Sequence, residues 1–465
     1  MTRFLVVVYF LVFLPSSCVA GVTRGDVEEV QSLGRTQRGA LLKIAADDKR
    51  VELQKYTGDV GIPDSYILKL KNGTGIDQAS DFINSIKDEM PPDLFDRTEI
   101  GEPGAVGQLR YLMVKTTEEG IEWFRLQTDI IDSIYQDTYV YSAGCTCNCH
   151  CENGTDLDDG ACWSYFPENW GLDRIDQAST ALDGKFNIEG TGSDVDVYVF
   201  DTGIYREHIE FLRADGTSRV TLGNIANASW SAADVDGHGT HVAGLIGGKT
   251  VGVAKNVSLI SVKVLGDDGF GSDFGIIAML SWVQEQVQAT QRKSIVNLSL
   301  GGEKSEILND AVNALFTDAG VLSVVAAGNE NVLSKYISPA SATHAFTVGA
   351  TQHRDKRATF SNYGSDVDIW APGEDLGSSS NEGVYRYRLS SGTSMACPLV
   401  AGAAAVYMSS LDYNPTPSEV KDHLISTSQD NVVTGIPEEF CSDGICEPAE
   451  SVTRLLQVGC SFEEE

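Results

Sequence analysis

The stretch Val195-Asp196-Val197-Tyr198-Val199-Phe200-Asp201-Thr202-Gly203 decides how this chain is read. Apart from Asp196, residues 195–200 are all Val, Tyr or Phe. A short run so dominated by β-branched and aromatic residues is a strand buried on both faces. Asp201 and Gly203 end it, so the carboxylate emerges from a dry sheet into a turn. Working outward, the sequence predicts further strands over 257–265, 294–300 and 321–327. Helical periodicity fills 273–287 and 303–318 between them. Thr416-Pro417-Ser418-Glu419 is a capping box with Pro at the first helical position, opening another helix. Strands alternating with helices imply an α/β fold, a three-layer αβα arrangement around a mainly parallel sheet. Such sheets carry their sites at the carboxyl ends of the strands.

The residues just past those ends carry chemistry. Asp201 closes the first strand. His238 lies in Asp236-Gly237-His238-Gly239-Thr240-His241, at the opening of a helix of small residues. Ser394 lies in Gly392-Thr393-Ser394-Met395-Ala396, a glycine-led turn into a second helix. A serine there has an exposed hydroxyl and a free backbone N–H at the positive end of the helix, able to hold an oxyanion. Asn329, after Ala326-Ala327-Gly328, adds an amide donor at the end of a fourth strand. Each feature alone has a plain structural reading: a strand-ending Asp caps helices, and a lone His is usually structural. The order Asp, His, Asn, Ser is much less common by chance, and Asp-His-Ser is one of the known orders of a catalytic triad.

With these motifs together, the chain resembles the subtilisin-like serine proteases, closest to the proteinase K-like branch. The resemblance rests on VFDTGI (199–204), DGHGTHVAG (236–244), NLSLGG (297–302), AAGNEN (326–331), SPASA (338–342), FSNYG (360–364) and SGTSMACPLVAG (391–402), with WGLDRI at 170–175. It implies a serine endopeptidase with Ser394 as nucleophile, His238 as base, Asp201 orienting it, and Asn329 with the Ser394 N–H as oxyanion hole; His241 is then structural. It also implies a cleft in which Gly269, Phe270 and Gly271 pair with the substrate backbone. Ser299, Leu300, Gly301 and Gly302 form one pocket wall, and Ala326, Ala327 and Gly328 the other. Small, uncharged walls imply broad specificity favouring a large apolar or aromatic residue before the cut. Asp273 is expected near the fourth subsite. A structural Ca²⁺ is implied at Asp368, with the carbonyls of Thr343 and Ala345; oxygen ligands suit that ion. Leu399 stands where many relatives have His, and Cys397, three residues past the nucleophile, reads as a buried free thiol.

The rest of the chain is read around this domain. Residues 1–20 read as a secretory signal: Arg3, an apolar run of 11 residues over Phe4–Leu14, then Cys18-Val19-Ala20 for cleavage. That makes the protein secreted, or vacuolar or lysosomal. Residues 21–64 form an unmatched N-terminal extension. Residues 65–142 read as a small α+β unit, with strands at 65–71, 109–115 and 130–135 and helices at 77–89 and 118–126. By resemblance this is an inhibitory propeptide, its own polypeptide serving as intramolecular inhibitor, with autocleavage near 139–143. Residues 143–168 are a Cys-rich linker or clamp holding Cys145, Cys147, Cys149, Cys151 and Cys162. The run, with His150, suits either disulfides or a soft metal, and an oxidising compartment favours disulfides. Residues 169–427 are the catalytic domain, and 428–465 a Cys-containing acidic tail. Sequons begin at Asn72, Asn153, Asn227 and Asn256; a fifth, at Asn297, falls inside a strand and is expected to stay unmodified.

Composition agrees. There are 34 Lys+Arg against 66 Asp+Glu, a net charge of −32. This excludes a general nucleic-acid binder, which needs a basic face. No later apolar run is long and clean enough for a membrane anchor. The partners expected are polypeptide substrates, and the chain is expected to be a monomer. The rival reading is a catalytically inactive secreted protein on the same fold, acting in binding or storage.

Overall fold

The strand Val195–Asp201 forms as predicted and is buried along its whole length. In the computed structural model, described for residues 41–44, 50–56, 60–143, 145–147, 169–442 and 445–458, it lies inside an eight-stranded sheet. The order runs 220–225, 258–263, 195–201, 293–298, 322–326, 346–352 and 356–357, with 369–372 also paired to 346–352. All these pairings are parallel except that of Lys356–Arg357. Because side chains alternate across a strand, Val195, Val197 and Val199 face one way. They share a core with Val242, Leu245 and Ile246 of the helix His238–Gly247 and with Leu399, Val400 and Ala403 of the helix Thr393–Ser410. Tyr198 faces the other way and meets Trp282 of the helix Asp273–Thr290 edge-on, with ring centroids 5.9 Å apart. Helices on both faces complete the three layers.

The chain divides into two units, residues 1–103 with 110–138 and residues 104–109 with 139–465. In the first, Gly61–Leu70 is antiparallel both to Leu109–Lys115 and to the early part of Ile131–Ser142. Ala79, Phe82 and Ile86 of the helix Ile76–Glu89, and Ile121 and Phe124 of the helix Glu118–Arg125, pack on Leu53, Leu68, Leu112 and Ile134. This is the small α+β unit read from the sequence. It reaches further upstream than residue 65: that position falls inside a strand, Glu52–Tyr56 pairs in parallel with residues 133–135, and Leu41–Ile44 pairs with Glu52–Tyr56.

The second unit contains the large sheet, the segment 104–109 and residues from Tyr139 onward. Gly107 N–H donates to Gln284 Oε1 at 2.5 Å, Gln108 N–H to Asp318 Oδ2 at 2.8 Å, and Ser281 Oγ to the Ala105 carbonyl at 2.6 Å. The C-terminal stretch is built into this unit. Trp370 N–H donates to the Arg454 carbonyl, Leu456 N–H to the Trp370 carbonyl, and Trp370, Val433, Ala449 and Leu455 share a buried cluster. The Cys441–Cys446 disulfide closes a hairpin of Glu439–Ser442 with Ile445–Pro448. Cys397 is free and buried, as expected. Asn297 is fully buried in its strand, while Asn72, Asn227 and Asn256 are exposed. The signal segment, Asn153 and most of the Cys-rich linker lie outside the described residues. No helix among the described residues is long and apolar enough to cross a membrane.

Candidate active site

Asp201 sits where the central strand ends, 1% exposed. Its Oδ1 accepts from Thr202 N–H at 2.8 Å and lies 2.8 Å from His238 Nδ1. His238 starts its helix after Gly237, whose φ of 93° is left-handed and suits glycine. Helix and strand end meet very closely. A Cβ on Gly239 would stand 2.1 Å from the Gly203 carbonyl oxygen, so only glycine fits there.

Asp234, which sequence reasoning missed, locks this corner. Its buried carboxylate accepts from Thr202 Oγ1 (2.8 Å), Gly237 N–H (2.7 Å), Thr240 N–H (2.9 Å) and Thr240 Oγ1 (2.5 Å). Thr202 Oγ1 in turn accepts from Gly239 N–H at 3.0 Å. The strand end bearing Asp201 and the helix start bearing His238 are thereby fixed through one carboxylate. Asp234 precedes the recognisable motif by two residues, and no periodicity singles it out.

With Nδ1–H donating to Asp201, His238 Nε2 carries the free lone pair, and that nitrogen has no hydrogen-bond partner among the described residues. Burial opposes the imidazolium. The Asp201 carboxylate beside it and Asp236 further off outweigh burial, holding the His238 pKa above its ordinary value. His241, one turn on, is different. Burial first, then the charges of Arg388 and His238, lower its pKa to about 3. Its Nε2 lies 3.1 Å from both the Leu376 and the Arg388 carbonyl oxygens. It is a neutral structural histidine, as read from the sequence.

Ser394 is fully buried in the first turn of its helix. Its Oγ donates to the Ser299 carbonyl at 2.9 Å rather than to His238. Asn329 is oriented by Thr393, whose N–H and Oγ1 donate to Asn329 Oδ1 at 2.9 and 3.0 Å. That fixes the amide and aims Nδ2 at the cleft. Cys397 lies behind, its Sγ 3.3 Å from Asn297 Oδ1, and burial pushes its thiol pKa far up.

The cleft is filled by the chain itself. Residues 139–142 run antiparallel between two strands of the same unit. On one side Tyr139, Val140 and Tyr141 pair with Ser272, Gly271 and Phe270. On the other, Val140, Tyr141 and Ser142 pair with Gly302, Gly301 and Leu300. Ser142 N–H donates to the Gly269 carbonyl and Ala143 N–H to the Ser299 carbonyl, both at 3.2 Å. The Ala143 carbonyl oxygen then accepts from Asn329 Nδ2 at 2.6 Å and from Ser394 N–H at 3.1 Å. Gly269, Phe270, Gly271, Ser299, Leu300, Gly301 and Gly302 therefore lie along one stretch of the chain's own backbone, residues 139–143. Ala326 and Ala327 are fully buried, and Gly328 joins the site through its N–H, which donates to Thr393 Oγ1 at 3.1 Å. Asp273 is 1% exposed at the first turn of its helix. The fourth position back from the Ala143–Gly144 bond is Val140, apolar and fully buried.

The expected calcium ligands are engaged otherwise. Lys421 Nζ lies 2.9 Å from Asp368 Oδ1 and donates to the Ala345 carbonyl at 2.8 Å. Asp368 Oδ2 accepts from Thr347 N–H at 2.9 Å. Two of the three expected ligands already share a protein cation, and the residues present do not fit a calcium ion as well.

A model of the subtilase family matches residues 192–442. A cuticle-degrading serine protease of Arthrobotrys oligospora is 44% identical over 268 residues, 57% of this chain and 64% of that protein. An extracellular serine proteinase of a Thermus species is 47% identical over 271 residues, 57% of this chain and 63% of its own. The chain thus spans a little under two thirds of the length of these relatives. The crystal structure of a cold-adapted subtilisin-like serine proteinase superposes with a TM-score of 0.55 at 39% identity, covering 63% of this chain and 98% of that one.

Proposed function

This chain belongs to the subtilase family, and from that premise we propose that it is a secreted serine endopeptidase made as a zymogen, which cuts itself after Ala143. One observation carries the reading: the Ala143 carbonyl receives both the Asn329 amide and the Ser394 N–H. Two donors converging on one carbonyl are what a developing oxyanion requires. For attack, Ser394 Oγ must leave the Ser299 carbonyl and give its hydrogen bond to His238 Nε2, which has no other partner among the described residues. Ser394 Oγ attacks the Ala143 carbonyl carbon, and its proton passes to His238 Nε2. Asp201 stabilises the imidazolium. His238 then gives the proton to the leaving Gly144 nitrogen, and water releases the acyl group by the same steps reversed in role.

Polypeptide substrates take the same path, held as an added strand between residues 269–271 and 299–302. The small, uncharged walls favour a large apolar or aromatic residue before the cut with broad tolerance, and the chain's own residue there, Ala143, falls within that tolerance rather than the preference. Residues up to 143 then act as the intramolecular inhibitor. Secretion rests on the signal segment and on the extracellular relative.

The test is expression of the full chain and of its Ser394→Ala variant. The parent is expected to yield a mature form beginning at Gly144 that cleaves casein, and the variant to stay uncut and inactive. An uncut, inactive parent supports the rival, a catalytically silent member of the fold. A mature N-terminus elsewhere refutes the assignment of Ala143.

A further inference from the structure

Lys421 belongs to the capped helix Pro417–Thr427, and its ammonium enters a seat built from three other places in the sequence. The Asp368 carboxylate, just ahead of the strand Ile369–Pro372, supplies Oδ1 at 2.9 Å. The Ala345 carbonyl, just ahead of the strand Phe346–Gln352, supplies an oxygen at 2.8 Å. The Phe346 ring lies beneath, with its centroid 5.4 Å from Nζ, within reach of a cation–π contact.

The carboxylate is held in place independently of Lys421. Thr347 N–H donates to Asp368 Oδ2, and Asp368 N–H donates back to the Thr347 carbonyl, each at 2.9 Å. The seat is therefore a pre-set pair of oxygens aimed at a cation, and the lysine is only one-fifth exposed within it.

We propose that Lys421 is the resident cation of the Asp368–Ala345 seat, taking the place of a metal ion, so that this seat binds no calcium in the native protein. The donor set fits an ammonium: two oxygens at hydrogen-bond distance and a ring face. Calcium needs six to eight oxygens at about 2.3–2.6 Å. It would also have to enter beside a like charge already bonded to both oxygens. The consequence is structural. The helix Pro417–Thr427 is fastened to two strands of the central sheet by a covalently supplied charge, which no chelator removes.

The test is the calcium-dependent increment in Tm of the full chain, with Ser394→Ala as background to prevent self-digestion. Tm is measured in excess calcium and in excess chelator for that parent, for added Asp368→Asn and for added Lys421→Met. Other calcium sites on the chain contribute equally to parent and variants, so the comparison isolates this seat. The same increment in the parent and in Asp368→Asn is expected. A calcium ion on Asp368 at a hundredfold excess over its Kd would raise Tm by roughly 5 °C. Loss of an increment of that size in Asp368→Asn overturns the proposal. Lys421→Met keeps the stem and Asp368 while emptying the seat. Its Tm is expected to fall by the same amount in calcium and in chelator, because the Asp368 carboxylate and the Ala345 carbonyl lose their cation. An unchanged Tm shows that the ammonium does not fasten the helix, which also overturns the proposal. The second variant decides if Asp368→Asn does not fold.

Discussion

His241 carries a prediction about the acid stability of the larger unit. The ring is fully buried in the helix that begins with His238. Its pKa is lowered from 6.5 to about 3, by burial first and then by the charges of Arg388 and His238. The folded pKa lies below the unfolded one, so the unfolded chain takes up the proton first. Stability that is fully present above about pH 6.5 is therefore lost as the pH falls towards 3. Each pH unit in that window costs about 1.4 kcal/mol, or roughly 3 kcal/mol by pH 4.5. The perturbation is His241→Gln, whose amide N–H can still reach the Leu376 and Arg388 carbonyls but does not titrate. At neutral pH the variant is less stable, by about 1–2 kcal/mol for an altered buried hydrogen bond. Below pH 6 it gains on the parent and overtakes it. At about 2 °C per kcal/mol for a unit of this size, the Tm difference between pH 7 and 4.5 closes by roughly 6 °C. The assay is thermal unfolding against pH in the Ser394→Ala background. His208, lowered by burial, adds a slope of the same sign, and His238, raised, one of opposite sign. His208 is common to the two proteins and cancels in the difference; His238, whose charge is one cause of the His241 shift, cancels only in part. Parallel curves for parent and variant would refute the assignment of the proton-linked loss to His241.

Two further perturbations bear on the cleft. Asn329→Asp removes the Nδ2 donor while keeping an oxygen for Thr393. It is expected to lower kcat by about 10²–10³, a range carried over from the equivalent amide of a subtilisin. KM should change little, and a KM effect without a kcat effect would contradict the oxyanion role. Gly302→Ala places a Cβ 2.7 Å from the Tyr139 carbonyl oxygen. Peptide substrates and the self-inserted strand should both be displaced. KM should rise several-fold and processing should slow; unchanged values for both would mean that substrates do not run along residues 300–302.

Much of this was legible because the fold declares itself in local patterns. The run 195–200 is apolar on both faces except at Asp196, so it belongs in a covered sheet. The catalytic candidates follow such runs at glycine turns, where backbone donors are free. What stayed hidden depends on distant pairings. Asp234 acts through Thr202 and Thr240, and nothing in its immediate sequence distinguishes it from a loop aspartate. Lys421 looks like one solvated position of an amphipathic helix, since the residues it meets are 53 and 76 positions away. A family pattern carried over through Asp368 alone suggests calcium, and only the geometry brings the lysine to the same oxygens. The upstream strands at 41–44 and 52–56 were missed for a similar reason: their partners lie elsewhere, and edge pairing leaves little periodicity.

The geometry also separates cutting from release under the proposed function. Hydrolysis after Ala143 breaks one covalent bond, yet the contacts that hold residues 139–143 are backbone hydrogen bonds to both flanking strands, and these survive the cut. Segment 104–109 adds Gly107 to Gln284, Gln108 to Asp318 and Ser281 to Ala105. The donors that polarise the scissile carbonyl can equally hold a product carboxylate. On the proposed function, a cleaved inhibitor held by so many donors is expected to leave slowly, because the same complementarity that places Ala143 for attack would also keep it in place afterwards. Activity should then appear only when the inhibitor is itself degraded. On that reading the order of events follows from a single design, in which one strand, two neighbours and one oxyanion hole would serve first as substrate site and then as lock.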